Sequence, residues 1–172
     1  MDNEIALNFT VRKLADDDAS DWMRLRLEGA REFPLGFLID EDEARKLTPE
    51  RAREILGHGG MYGVFDADNL IGFCGLRQEF FKRTRHRAEL GPFFVTADYH
   101  GRGAAKALME SVTSVAGDLG VEQLELFVDT ENHPAIRFYE KFGFERIATH
   151  PDGVRINGVP RDDYFYRLRL GA

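Results

Sequence analysis

The stretch 88–128 restricts the fold more than any other part of the chain. Its first eight residues read as a strand, a glycine-rich turn carries Gly101 and Gly103, and residues 103–119 place Leu108, Val112, Val115 and Leu119 at helical spacing. Gly120 is a natural stop for that helix. Residues 124–128 read as a second strand. Strand, helix and strand in this order imply a right-handed crossover between two parallel neighbours. Whatever sheet forms must therefore contain a parallel pair.

The remaining segments surround that unit with hairpins. A strand is expected at 6–12, and the run 16–20 supplies capping groups for a helix over 21–32 that carries Trp22, Leu25 and Leu27. A looser acidic passage at 33–43 precedes a second helix at 49–56, where Thr48 can cap and Pro49 suits the first helical position. Residues 61–65, 70–81 and 88–95 read as an antiparallel meander, with a turn at 66–69 and a charged bend after 81. A short helix over 133–142 ends at Gly143, and strands at 144–150 and 162–170 flank a turn containing Pro151, Asp152 and Gly153. The count gives an α/β (α+β) chain with a mixed, mostly antiparallel sheet of about seven strands. With 172 residues and 43% hydrophobic content, one domain over 1–172 is expected.

Composition removes several classes of function. Thirty acidic against 23 basic residues leave a formal net charge of −7, so no positive field gathers nucleic acid or anionic lipid. No segment approaches the roughly 18 apolar residues of a membrane span, and the first residues lack the basic-then-apolar pattern of an export signal. The single cysteine, Cys74, forms neither an internal disulfide nor a multi-cysteine metal site, and reads as a small apolar strand residue in a reduced, cytoplasmic setting. Three serines lie outside any GxSxG, and five histidines show no metal-ligand spacing. Neither a covalent nor a metal mechanism is expected.

The turn between strand and helix, FFVTADYHGRGAAK at 93–106, is where the chain can hold an anion. Two glycines fold the backbone tightly, and the first helical turn offers unpaired N–H donors and the positive end of the dipole. Arg102 can add a charged contact or simply be solvated. A P-loop would need GxxxxGK followed by Ser or Thr, and a dinucleotide fingerprint would need GxGxxG directly after the strand. Both fit poorly. His100, Gly101, Arg102, Gly103, Ala104 and Ala105 instead meet the pattern Gln/Arg-x-x-Gly-x-Gly/Ala everywhere except its first position. A second segment, NHPAIRFYEKFGF at 132–144, carries Asn132, Ala135, Tyr139, Gly143 and Phe144 in the order Asn-x-x-Ala, Tyr, Gly-Phe. In these two signatures the chain resembles the GNAT acetyltransferases.

That resemblance implies the GNAT acyl-CoA N-acyltransferase fold, with helices on both faces of the sheet, and acetyl-CoA as cosubstrate. It assigns the pyrophosphate to the backbone of His100, Gly101, Arg102, Gly103, Ala104, Ala105 and Lys106. The pantetheine arm is expected between two splayed parallel strands, on main-chain groups of Phe93, Phe94 and Val95, with Asn132 and Ala135 beside it. Pro92 is compatible with a bulge in the first of those strands. His100 departs from the usual Gln or Arg, which bears on one side-chain contact rather than on the backbone donors.

Acetyl transfer to an amine sets three chemical requirements. A primary amine with a pKa near 10.4 is neutral at pH 7 in only about one molecule in 2,500, so a proton acceptor is needed. Glu89 is the candidate, matching in its spacing to the loop the catalytic glutamate of the Gcn5-like branch; simple alternation puts it on one face with Gly91, Phe93 and Val95. Partial burial would raise its pKa, whereas an ordinary ion pair with Arg87 is the plainer account. A backbone N–H at the bulge near Val95 is the candidate oxyanion donor. Tyr139 is the candidate acid for the departing thiolate, on one helix face with Asn132 and Ala135 over about 10 Å. A core tyrosine and a capping asparagine are the alternatives.

The resemblance implies as acceptor a primary amine of a small molecule, an amino-acid analogue or a peptide. Asp40, Glu41, Asp42 and Glu43 lie where the family builds its acceptor wall, and either draw a cationic amine or are simply solvated. The basic run Lys82, Arg83, Arg85, His86 and Arg87 reads as hairpin solubility or a contact with an acidic group. Exposed strand edges with Phe80 and Phe81 leave a homodimer open. A non-catalytic acyl-CoA-binding module and a Rossmann-like dinucleotide binder are the rival functions.

Overall fold

The computed structural model describes residues 8–171. Strand β1 (Phe9–Lys13) leads through a short 3-10 turn into α1 (Ala19–Glu32), then α2 (Glu41–Arg45) and α3 (Pro49–Gly57). The meander β2 (Met61–Asp66), β3 (Asn69–Gln78) and β4 (Arg87–Val95) precedes α4 (Ala104–Asp118), β5 (Gln123–Asp129) and α5 (His133–Phe142). The hairpin β6 (Glu145–Ile156) and β7 (Val159–Arg169) closes the chain. All seven strands form one sheet in the order β1-β2-β3-β4-β5-β7-β6, and β4–β5 is its parallel pair. The expected opening strand falls on residues 6–12, of which 6 and 7 lie outside the described residues. Among the described residues, no helix is long and apolar enough to cross a membrane.

Local chemistry explains most of the boundaries. Thr48 accepts a hydrogen bond from the Arg51 amide and Pro49 opens α3, as its sequence predicts. In α4, Ala104, Leu108, Met109, Val112 and Ala116 make the buried stripe, whereas Leu119 falls just past the helix and is exposed. Gly143 closes α5 with φ +117, and the Phe144 amide donates to the Tyr139 carbonyl at 3.0 Å.

The sheet separates two cores. On one face α4 and α5 pack Leu108, Val112 and Tyr139 against Cys74, Leu90, Leu124 and Leu126. On the other, α1 to α3 pack Trp22, Leu25 and Leu56 against Phe65, Phe73 and Phe94.

Three expectations are corrected. Residues 33–43 are not a plain loop, because Asp40 and Glu43 form a reciprocal capping box that starts α2. Strand β3 stops at Gln78, leaving Phe80 and Phe81 exposed in the turn beyond. The last hairpin turns at Asn157 and Gly158, both at positive φ, and not at residues 151–153. Those three residues form a bulge inside β6, between His150 opposite Asp163 and Val154 opposite Arg161.

Candidate active site

The parallel pairing of β4 with β5 begins at Arg87 opposite Gln123 and ends at Glu89 opposite Glu125. Beyond that point the strands diverge, as the resemblance implies. The cause lies in β4 itself. A one-residue bulge at Gly91 and Pro92 shifts its register against β3, so that Leu76 faces Leu90 while Cys74 faces Phe93. Gly75 makes room for this: a Cβ there would lie 2.3 Å from the Gly91 carbonyl oxygen.

The bulge also reverses side-chain parity. Ala88 and Leu90 join the core under α4, and after the extra residue so do Phe93 and Val95. Glu89 therefore points to the opposite face from Phe93 and Val95, a correction to simple alternation. On β5, Leu126 and Val128 face α4 and α5, which leaves Phe127 and Asp129 on the face of Glu89. Asp163 of β7 is the direct partner of Asp129 and shares that face.

The divergence opens a cavity of about 390 Å³ that reaches both sides of the sheet. Gly91, Pro92, Phe93, Asn132, Ala135 and Tyr139 line it toward α5, and Glu89, Asp129 and Asp163 line it toward the other face. Trp22 and residues 34–39 form an apolar wall. None of Asp40, Glu41, Asp42 or Glu43 is part of that wall. Asp40 and Glu43 cap α2, and Glu41 pairs with Arg45.

Tyr139 and Glu89 thus stand on opposite sides of the sheet and meet at one cavity. Tyr139 is 9% exposed, packed edge-on to Phe93 with ring centroids 6.3 Å apart. Burial, with a contribution from Cys74, pushes its hydroxyl well above the ordinary tyrosine range, so it stays a proton donor at neutral pH. Glu89 keeps 40% of its side chain exposed and pairs with Arg77 at 2.8 Å. Arg87, the partner expected for it, pairs with Glu125 instead, also at 2.8 Å.

The glycine turn has the form its sequence suggests. Gly101 (φ +73) and Gly103 (φ +92) adopt backbone that other residues avoid, with open space where a Cβ would stand. Gly103 is the N-cap of α4, and the first intrahelical bond runs from the Ala107 amide to its carbonyl at 2.9 Å. The amides of Ala104, Ala105 and Lys106 precede that bond and are left to a ligand or water. His100 does not project toward this turn's donors. Its Nε2 donates to the Val95 carbonyl at 2.7 Å, and its ring sits 5.7 Å from that of Phe33. Arg102 lies over the Tyr99 ring, 5.8 Å from its centroid. Asn132 caps α5, accepting from the Ala135 amide at 3.4 Å, while also lining the cavity. Phe94 buries its side chain among Phe33, Phe37 and Phe73, leaving only its main chain for a ligand.

Three cavity residues escape sequence reasoning. Arg26 stacks over Trp22 with Nη1 buried and, among the described residues, unpartnered; burial lowers its pKa, and Glu43 partly opposes this. Asp129 accepts from Nε and Nη2 of Arg161, whose Nη2 also reaches Glu131 at 2.8 Å. Burial works to raise the Asp129 pKa, but these bonds and the Glu131 amide win and leave it below the usual range. Asp163 goes the other way, raised by burial and then by Asp129. No local motif marks these positions; the pairing of β5 with β7 brings the two carboxylates together.

The family model for the acetyltransferase (GNAT) family matches residues 21–144. An uncharacterized N-acetyltransferase, MJ1207 of Methanocaldococcus jannaschii, is 28% identical over 142 residues, covering 80% of this chain and 61% of that protein. The L-amino acid N-acetyltransferase AaaT of Escherichia coli is 31% identical over 117 residues, 67% of this chain and 71% of that one. Among solved structures, yncA of Salmonella typhimurium, a putative acetyltransferase determined with acetyl-CoA, superposes with TM-score 0.82 at 16% identity. That match covers 96% of this chain and 95% of the other.

Proposed function

Because the chain belongs to the GNAT family of acetyltransferases, we propose that it transfers an acetyl group from acetyl-CoA directly to a primary amine of a small molecule, amino-acid analogue or peptide. The observation that carries this reading is the divergence of β4 from β5 into a cavity lined by Tyr139. The glycine turn that starts α4 comes directly after β4. The residues fit the cosubstrate: open space stands over Gly101 and Gly103, and the main chain beyond Glu89 is unpaired toward β5.

In this reading the amides of Gly101 to Lys106 hold the pyrophosphate, aided by the dipole of α4. Main-chain groups of Phe93, Phe94 and Val95 hold the pantetheine arm, with Asn132 and Ala135 against it. Bound acetyl-CoA supplies an activated thioester. A main-chain N–H of β4 past the bulge, near Val95, is the oxyanion donor in this reading; Pro92 has none to offer. The Tyr139 hydroxyl donates its proton at the sulfur. His100 steadies the end of β4 through Val95 rather than touching phosphate.

Calorimetry with acetyl-CoA, followed by thiol release across an amine panel, tests this. Saturable heat and amine-dependent release are expected. Binding without release from any amine would favour a non-catalytic acyl-CoA module. Thermal stabilisation by NAD but not by CoA would favour a dinucleotide binder.

A further inference from the structure

The cavity holds a carboxylate that no sequence motif marks. Asp163 is 6% exposed and lines the cavity, yet among the described residues no hydrogen bond reaches its carboxylate. Its neighbour across β5–β7 is a second acid, Asp129. Arg161, beside them, gives Nε and Nη2 to Asp129 and Nη2 to Glu131, and none of these bonds goes to Asp163. Of the three carboxylates around Arg161, Asp163 is the one that, among the described residues, has no hydrogen-bonded cation. A buried carboxylate left in this state is costly in its charged form and is relieved either by a proton or by a cationic group.

The backbone around Asp163 is shaped to keep it there. The β6 bulge lays Gly153 directly on it: a Cβ on Gly153 would stand 2.5 Å from Asp163 Oδ2 and 2.8 Å from His150 Nδ1. The Pro151-Asp152-Gly153 segment thus covers the carboxylate from the β6 side, and the Asp152 amide is anchored to Asp162 at 2.9 Å. The groups facing Asp163 are Asp129 on β5, His150 on β6, and Arg161 and Asp162 on its own strand. The cavity beyond is walled by Trp22, Phe37, Ile39, Ile55, Val154 and Ile156.

We propose that Asp163 receives the ammonium group of the acceptor and takes its proton, and that the acceptor carries this amine on an apolar body. The proposal rests on the acetyltransferase reading and names its substrate class. Glu89, paired with Arg77, then stays a structural ion pair at the cavity edge. One ammonium proton moves to a carboxylate oxygen of Asp163, and the freed nitrogen lone pair bonds to the acetyl carbon while the carbon–sulfur bond breaks. Tyr139 gives its proton to the departing sulfur and regains one from the nitrogen. The proton on Asp163 leaves to solvent, so one proton is released per turnover.

The test uses 2-phenylethylamine and its uncharged counterpart 2-phenylethanol as probes, titrated by calorimetry into the protein saturated with CoA. The wild type is expected to bind the amine at least about tenfold more tightly than the alcohol, since a charge-assisted contact is involved. Asp163→Asn removes this preference and leaves alcohol binding unchanged; Asp163→Glu restores part of it; Glu89→Gln keeps it. In turnover, Asp163→Asn raises KM for the amine and lowers kcat. Equal binding of amine and alcohol by the wild type, or loss of the preference in Glu89→Gln rather than Asp163→Asn, overturns the proposal. Acetyl-CoA affinity is measured in every variant. Its retention in those failures leaves the acetyltransferase reading standing, and its absence from the wild type sinks that reading instead.

Discussion

Replacing Gly103 by alanine isolates what the glycine turn contributes. The residue has φ +92, and no atom lies within 4 Å of the position a Cβ would take. Steric clash is therefore absent, and the whole penalty is conformational, about 1–2 kcal/mol for an L-residue held in left-handed backbone. That strain has two outlets. If the turn keeps its shape without ligand, the folded state bears it, and the melting temperature falls by about 2–8 °C at roughly 2–4 °C per kcal/mol for a domain of this size. If the free turn relaxes, acetyl-CoA must restore it, and at about 1.4 kcal/mol per decade the affinity falls about five- to thirty-fold. Gly117→Ala is the control, because it too has open space around it but lies within α4 in helical backbone. There alanine should stabilise by about 0.5–1 kcal/mol and leave affinity untouched. Differential scanning fluorimetry and calorimetry with acetyl-CoA measure both outlets. A Gly103→Ala protein matching the wild type in melting temperature and in affinity would refute the reasoning.

Other perturbations probe the rest of the site. Tyr139→Phe should lower kcat by about 10²–10⁴-fold, the range for a lost general acid, with acetyl-CoA affinity unchanged; stopped-time thiol release and calorimetry separate the two. Phe73, fully buried with Trp22, Phe37 and Phe94 around it, should cost about 3–5 kcal/mol on truncation to alanine, seen as a melting drop of roughly 6–20 °C. Asp163 has a folded pKa above its unfolded value, so its stabilising contribution is complete below the unfolded pKa, near about 4, and is lost as pH rises through the folded one. Asp163→Asn should therefore melt higher than the wild type at pH 7, with the gain vanishing below about pH 4 in a pH series of melts. Arg161→Met leaves Asp129 buried without its partner and should lower the urea midpoint at pH 7. Asp129 has a depressed pKa, so that loss should shrink as pH falls below about 4.

The legible parts of the site are those whose chemistry is local. Gly101 and Gly103 can be read from sequence because positive φ at a strand-to-helix turn leaves few other residues. The bounds of α5 come from Asn132 and Gly143, each capping through contacts within a few residues. The Asn157–Gly158 turn is equally local, an Asn-Gly pair between two strands, but the Pro-Asp-Gly segment competes for the same hairpin. The capping box at Asp40 and Glu43 is also open to reading, masked by an acidic run that suggests a substrate wall.

By itself, the sequence determined the order of elements, the parallel crossover around α4, the glycine turn and the helix ends, because caps, periodicity and turn conformations act over a few bonds. Tertiary structure alone decided which faces the strands present. One extra residue at Gly91 and Pro92 moves Glu89 to the side opposite Phe93, since side-chain direction alternates and an insertion inverts every later position in the strand. It also decided that Asp129 and Asp163 meet, because strand register is fixed by pairing between segments far apart in the chain and by the Gly153 bulge that closes over them.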